Sequence, residues 1–218
     1  MSSNKNNIVH EYITEYIEKT HKKSDSFYET LRAYAEENHI YIVKADVERF
    51  LRTLISIHKP KQILEVGTAI GYSAMFMVES ADENAVLTTI ERDETVLSQA
   101  KENVEKRGLS HRIRFVFGDA TAALAHVSGT FVFAFGDAAK GKSRDHFDKV
   151  LLHMRSGGVI VTDDVLYMGM TASDDLATKK HITITRRLRE YLEYLCSDER
   201  FETVILPIGD GVAVTYIK

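Results

Sequence analysis

The chain has 218 residues, and what it lacks narrows its identity first. Its single cysteine, Cys196, excludes an internal disulfide and most cysteine metal sites, and its place in a late helical stretch favours a structural role over a reactive one. No apolar run approaches the length of a bilayer crossing. The opening Met1-Ser2-Ser3-Asn4-Lys5-Asn6-Asn7 is polar, without the apolar centre of a secretion signal, so a cytoplasmic protein with no membrane partner is expected. No segment repeats, none is of low complexity, and nothing reads as a linker. Charge of neither sign dominates: 28 Lys and Arg face 32 Asp and Glu, a net of -4 that gives no overall pull toward nucleic acid yet allows a local basic patch. Against these absences stands a hydrophobic content of 44%, enough at this length for one buried core.

The most informative stretch runs from Ile63 to Ser73. Pro60 ends a preceding helix, Ile63-Leu64-Glu65-Val66 reads as a short strand, Gly67 and Gly71 turn the backbone, and Ser73-Ala74-Met75-Phe76-Met77 begins a new helix. In open α/β sheets ligands gather at such a strand end, because glycine lets the backbone approach and a helix N-terminus offers unpaired N–H groups. The next predicted strand, Ala85 to Ile90, ends in Glu91, where a nucleotide site places a carboxylate for ribose hydroxyls. Two phosphate signatures are missing, however. The turn lacks the G-x-G-x-x-G of a dinucleotide site, and no G-K-[ST] follows as in a P-loop. A nucleoside ligand without a pyrophosphate fits better, and S-adenosylmethionine is such a ligand.

Before this stretch only helical periodicity is present, so residues 1–58 are expected to form an N-terminal helical cap on a core spanning 59–218. After it, strands alternate with helices. Strands are predicted at Ile113 to Phe117, at the wholly apolar Phe131 to Phe135, at Val159 to Thr162, and at Phe201 to Leu206 and Val212 to Ile217 around the turn Gly209-Asp210-Gly211. The helix before Val159 is read with Phe147, Val150, Leu151 and Met154 inward. This alternation predicts an α/β fold with a central, mostly parallel seven-stranded sheet and an antiparallel edge hairpin. Glu65, Glu91, Asp119, Asp137, Asp163 and Asp164 all fall at or just beyond strand ends, and parallel strands share one carboxyl edge. One or two could be helix caps. Six together would repel one another unless a cation or ligand donors compensate them, and such oxygen ligands suit Mg²⁺, Mn²⁺ or Ca²⁺.

With these residues in view, the chain resembles the metal-dependent O-methyltransferases, the catechol and caffeoyl-CoA group, over residues 38 to 218. The resemblance rests on Glu65-Val66-Gly67-Thr68 with Gly71-Tyr72-Ser73, on Ile90-Glu91, on Gly118-Asp119-Ala120, on Asp137-Ala138-Ala139-Lys140 and on Thr162-Asp163-Asp164-Val165-Leu166. It implies a Rossmann-like class I methyltransferase and assigns roles by position. Glu65, Gly67 and Ser73, with Tyr72 in the same turn and the backbone near Val43 above them, would hold the methionine part of S-adenosylmethionine. Glu91 would take the ribose hydroxyls, and Asp119 and Ala120 would frame the adenine. Asp137, Asp163 and Asp164 would bind the metal, Asp137 also serving the cofactor and catalysis; the family usually carries asparagine where this chain has Asp164. Lys140, three residues past Asp137, is the candidate general base, because a partly desolvated lysine near a cation has a lowered pKa.

Within that group the Asp-Ala-Ala-Lys-Gly and Asp-Val-Leu-Tyr-Met-Gly segments most resemble the branch that methylates 5-hydroxyuridine at the tRNA wobble position. Lys179, Lys180, Arg186, Arg187 and Arg189, with the Lys140, Lys142 and Arg144 loop, would suit an RNA backbone, and Tyr41 or Tyr167 could stack on a base. The same basic segment also reads as a solvated helix face. A small catechol-like phenol is therefore the alternative substrate, and a non-catalytic nucleoside-binding protein the alternative from another class. The resemblance also implies a homodimer.

Overall fold

The computed structural model describes residues 8–21, 25–136 and 140–218, with Lys140 described by its backbone alone. Three helices come first: α1 (Glu11–Thr20), α2 (Ser26–Glu37) and α3 (Ala45–His58). Then strands and helices alternate as β1 (Gln62–Val66), α4 (Tyr72–Ser80), β2 (Val86–Glu91), α5 (Glu94–Lys106), β3 (Ile113–Phe117), the one-turn α6 (Ala120–Ala123), β4 (Phe131–Gly136), α7 (Ser143–Leu151) and β5 (Met154–Thr162). The chain closes with α8 (Ile182–Ser197), β6 (Phe201–Leu206) and β7 (Val212–Ile217). Among the described residues no helix is long and apolar enough to cross a membrane.

One seven-stranded sheet has the order β3-β2-β1-β4-β5-β7-β6. The strands from β1 to β5 are parallel, and β7 enters antiparallel between β5 and β6. Parallel neighbours need helical crossovers, and successive crossovers cover both faces of the sheet. Hence the core divides in two. Ile63, Phe133, Phe135 and Val161 pack toward α2, α3 and α4, with Leu51, Ile55 and Phe76 among their neighbours. Leu64, Ala134 and Ile160 point the other way, toward Phe147 of α7 and Tyr191 and Leu195 of α8. Because β1 sends the chain to β2 on one side and lies against β4 on the other, the strand order reverses at its carboxyl end, where a crevice must open.

The sequence signals for helix ends act as local chemistry predicts. Gly108 (φ +76) closes α5: its N–H reaches the Glu105 carbonyl and that of Leu109 reaches Val104, which satisfies two last-turn acceptors. The same pattern ends α2 at a residue that is not glycine. His39 takes φ +55, and Ile40 N–H donates to Ala35 O, so Ile40 and Tyr41 leave the helix toward the sheet's carboxyl edge.

One predicted boundary is corrected. Met154 does not continue the helix with Phe147, Val150 and Leu151; α7 stops at Leu151 and Met154 opens β5 opposite Phe131. Phe133 then pairs with Val159, so the intervening β5 residues bulge, a course that Gly157 at φ +82 permits. The apolar spacing of Met154 matched a helix, but its strand partner is visible only in the sheet.

Candidate functional site

The crevice is built around the turn after β1. Gly67 (φ +106) and Gly71 (φ +81) take backbone conformations that penalise a side chain, and a Cβ on Gly71 would sit 3.4 Å from Ala100. Gly67 and Thr68 both donate to the Ile90 carbonyl, at 3.0 and 3.3 Å, tying the turn to the end of β2. The Ala69 N–H donates to one oxygen of the Glu91 carboxylate at 3.0 Å, while Arg92 and Asp93 N–H groups donate to the other at 2.8 and 3.0 Å. Three backbone donors thus hold one carboxylate in a fixed orientation at the crevice wall.

Beneath the turn runs a buried polar chain. Thr89 donates to Glu65 at 2.6 Å, so its own oxygen must accept from Thr68, also at 2.6 Å. Glu65 is fully buried, and Ser73 and Tyr72 are buried beside it at the start of α4. The Tyr72 hydroxyl donates to Glu48 at 2.6 Å and accepts from Arg32 at 2.9 Å, and Arg32 also donates to the Val43 carbonyl at 3.0 Å. Burial alone would raise the Glu48 carboxyl's pKa. Hydrogen bonds from Tyr72 and Arg52 and the charges of Arg52 and Arg32 outweigh it and hold the group below its usual value.

Above the turn lies a cleft of about 350 Å³. Gly67, Ala69 and Glu91 form one side, Gly118, Asp119 and Ala120 another, and Ile40 and Tyr41 the rim. Asp119 caps α6, accepting from Thr121 N–H at 3.0 Å, and its other oxygen lies 3.9 Å from the Lys142 ammonium. The Thr121 N–H, against an opposing effect of burial and with help from the Lys142 charge, holds the Asp119 carboxyl below its ordinary value. Of the cofactor candidates, then, Gly67, Glu91, Asp119 and Ala120 line the cleft itself. Glu65, Tyr72 and Ser73 lie in the wall behind it, and Val43 is packed in the core with its carbonyl held by Arg32. Arg92, Lys142 and His146 also line the cleft and carried no cofactor role in the sequence reading. His146 sits four residues before Val150, on the buried stripe of α7, and that spacing was the available signal.

The acidic edge continues past β5. Asp163 N–H donates to Gly136 O at 3.0 Å, so β4 and β5 deliver their ends to one place. Asp164 takes a left-handed φ of +60, and its N–H donates to the Asp163 carboxylate at 2.7 Å. Tyr167 (φ +46) and Met168 (φ +54) are also left-handed, so this short segment holds three strained residues that are not glycine. The hairpin turn before β7 braces it: Val165 and Leu166 N–H groups donate to Gly211 and Asp210 carbonyls, and Met168 N–H donates to the Asp210 carboxylate. Asp137 lies outside the described residues, as does the side chain of Lys140, whose backbone opens the short turn Lys140–Lys142. Among the described residues no three His, Cys, Asp or Glu side chains gather into a metal-binding group.

The basic segment is largely engaged within the chain. Arg189 donates to Thr171 O and Met170 O and pairs with Asp174 at 2.7 Å. Arg187 donates to Gly141 O at 3.1 Å, Arg186 lies 3.8 Å from Glu190, and Arg144 pairs with Asp148 while stacking on Tyr194. Lys179 and Lys180 are exposed.

Comparison with known proteins places this geometry in context. The sequence profile of one O-methyltransferase family matches residues 10–217. A caffeoyl-CoA O-methyltransferase of Zea mays is 30% identical over 178 residues, which are 78% of this chain and 67% of that protein. A flavonoid 3',5'-methyltransferase of Vitis vinifera is 27% identical, covering 98% of this chain and 97% of its own. The fold of an O-methyltransferase from Bacillus cereus, solved in complex with SAH, superposes with a TM-score of 0.83 at 24% identity over 95% of this chain and 97% of that one.

Proposed function

The chain belongs to the O-methyltransferase family and is an S-adenosylmethionine-dependent O-methyltransferase, and from that premise we propose how its site binds the cofactor and which hydroxyl it methylates. The observation that carries the reading is Glu91, oriented by three backbone N–H groups at the wall of the same cleft that Gly67, Asp119 and Ala120 line. A carboxylate so fixed suits the two ribose hydroxyls, which donate to it. The adenine then lies toward Asp119 and Ala120, and the methionine end runs over Gly67, with Glu65, Tyr72, Ser73 and the backbone near Val43 as its surround.

The acceptor is a hydroxyl with a second oxygen beside it, as in a catechol. Its oxygen attacks the sulfonium methyl; a C–O bond forms, the S–C bond breaks with its electron pair returning to sulfur, and Lys140 takes the hydroxyl proton. Asp163 and Asp164, with Asp137, fit a hard divalent cation such as Mg²⁺, because all donors are carboxylate oxygens and the left-handed backbone at Asp164 is the strain such sites carry. A bound cation would polarise the acceptor and fix both its oxygens.

A small phenol is favoured as substrate because Arg187, Arg189 and Arg144 are engaged within the chain. The 5-hydroxyuridine of a tRNA anticodon loop is the second reading, supported by exposed Lys179 and Lys180 and by Tyr41, 91% exposed at the cleft rim. Homodimer formation belongs to the same proposal, with α1 as a contributing surface through Tyr12 and Tyr16, 70% and 69% exposed.

The test is transfer of labelled methyl from S-adenosylmethionine, with Mg²⁺ and then with chelator, into a panel of catechols and caffeoyl esters and in parallel into tRNA bearing 5-hydroxyuridine. Chelator-sensitive label in the phenols is expected. Label confined to tRNA would exchange the two substrate readings, and bound cofactor with no transfer to either would remove both.

A further inference from the structure

His146 is a side chain that the reading above does not use. It lies on α7 with 8% of its surface exposed, and among the described residues neither ring nitrogen has a hydrogen-bond partner. Such a residue is costly. A buried polar group without a partner loses the hydration it had in the unfolded chain, so in native proteins it is explained by a water, a ligand or a chemical task.

Two spaces adjoin the ring. One is an inner chamber of about 30 Å³ beside Phe147 and Ile160, which is room for a single water. The other is the cleft, which His146 lines together with Asp119 and Ala120. Burial holds the imidazole below its ordinary pKa, with Lys142 and Lys149 acting in the same direction and the Asp145 and Asp119 carboxylates opposing. It is therefore neutral near pH 7 and offers one N–H donor and one bare acceptor. The edge of adenine carries the complementary set: ring nitrogens that accept and an amino group that donates.

We propose that His146 is a recognition residue for the nucleoside base in the cleft, giving one ring nitrogen to the adenine edge and the other to a water in the inner chamber. The proposal rests on the assignment of the cleft to S-adenosylmethionine. It also explains why a helix that otherwise buries phenylalanine and valine keeps a polar ring on the same stripe. A residue kept only for packing would serve better as leucine or phenylalanine.

The test is calorimetric binding of S-adenosylhomocysteine and of 5'-methylthioadenosine, which lacks the amino-acid end, to wild type, His146→Leu and His146→Phe. Both ligands are expected to bind about tenfold more weakly to the variants, the size of one hydrogen bond. The ligand-free melting temperature should not fall, because an apolar side chain brings no buried polar group that needs a partner. Unchanged affinity in either folded variant overturns the proposal, and so does a loss confined to S-adenosylhomocysteine, which would put the contact at the amino-acid end. If the wild type itself binds neither ligand, the assignment of the cleft falls first and the role of His146 with it.

Discussion

At the scale of single residues, the site is a set of carboxylates whose surroundings differ. Glu91 is held by backbone donors that no side-chain substitution elsewhere removes, and its carboxylate faces the cleft, so its loss should act on ligand binding above all. Glu91→Ala should weaken S-adenosylhomocysteine at least tenfold, since hydrogen bonds to a charged group contribute about 1.5–3 kcal/mol. Calorimetric titration checks this, and unaltered binding would move the ribose elsewhere in the cleft. Asp164 carries a different prediction. A third anionic ligand should bind a cation more tightly while leaving it a weaker Lewis acid, because more of its charge is neutralised before the substrate arrives. Asp164→Asn should therefore raise the Mg²⁺ concentration needed for half-maximal turnover; an unshifted titration would remove Asp164 from the cation's ligands.

At the scale of elements, two tertiary clasps hold the site in place. The first joins α2, α3 and α4 through Glu48, which accepts from Arg32, Arg52 and Tyr72 with only 2% of its side chain exposed. Glu48→Gln leaves both guanidinium groups short of a partner. It should cost about 2 kcal/mol, less than a fully buried pair because Arg32 and Arg52 keep 33% and 26% of their side-chain exposure. The pH dependence has a definite sign. The folded Glu48 pKa lies below its ordinary 4.5, so the unfolded chain takes up the proton first; this stability is present above pH 4.5 and is lost as pH falls through the folded value. Denaturant melts between pH 7 and 3 should show a shallower acid decline in the variant.

The second clasp is the turn before β7. Gly211 (φ +89) leaves no room for a side chain, since a Cβ would meet the Leu166 side chain and lie 2.7 Å from its backbone nitrogen. Gly211→Ala should destabilise by about 2–4 kcal/mol, combining left-handed strain with overpacking. It should also lower turnover while cofactor affinity holds, because Leu166 follows Asp164 closely and lies away from Glu91. Equal losses in turnover and affinity would show that the two ends of the site move as one.

For the whole molecule, the parallel course of β1, β2, β3, β4 and β5 brings their ends to one edge, and the candidate carboxylates among the described residues sit there because parallel strands all end on the same side. A turn without the dinucleotide glycines leaves a cleft that suits a nucleoside and not a pyrophosphate. Thermal melts should reflect that preference: S-adenosylhomocysteine at a hundred times its Kd should add about 2.7 kcal/mol to stability, and NAD at the same concentration should add little. Comparable protection by both would contradict the reading of the turn.

The chain sequence by itself determined the order of strands and helices, the two-glycine turn, Glu91 at a strand end and the carboxylates of the shared edge. These depend on periodicity and on residues with narrow backbone preferences, which act over a few positions. It did not determine where Met154 belongs, because its place at the start of β5 is set by pairing with Phe131 of β4 ahead of a bulge, and a partner strand leaves no local mark. The commitment of Arg187 and Arg189 to carbonyls of distant loops was equally invisible; as sequence they are a run of positive charge, and only the fold decides whether such a run faces a ligand or its own backbone. His146 is the third such case. Its stripe on α7 was legible, but only the packing of that helix over the sheet leaves the ring unsatisfied between a chamber and a cleft. Local chemistry fixes where a carboxylate stands along the chain; long-range contacts decide which polar groups are satisfied and which remain for a ligand.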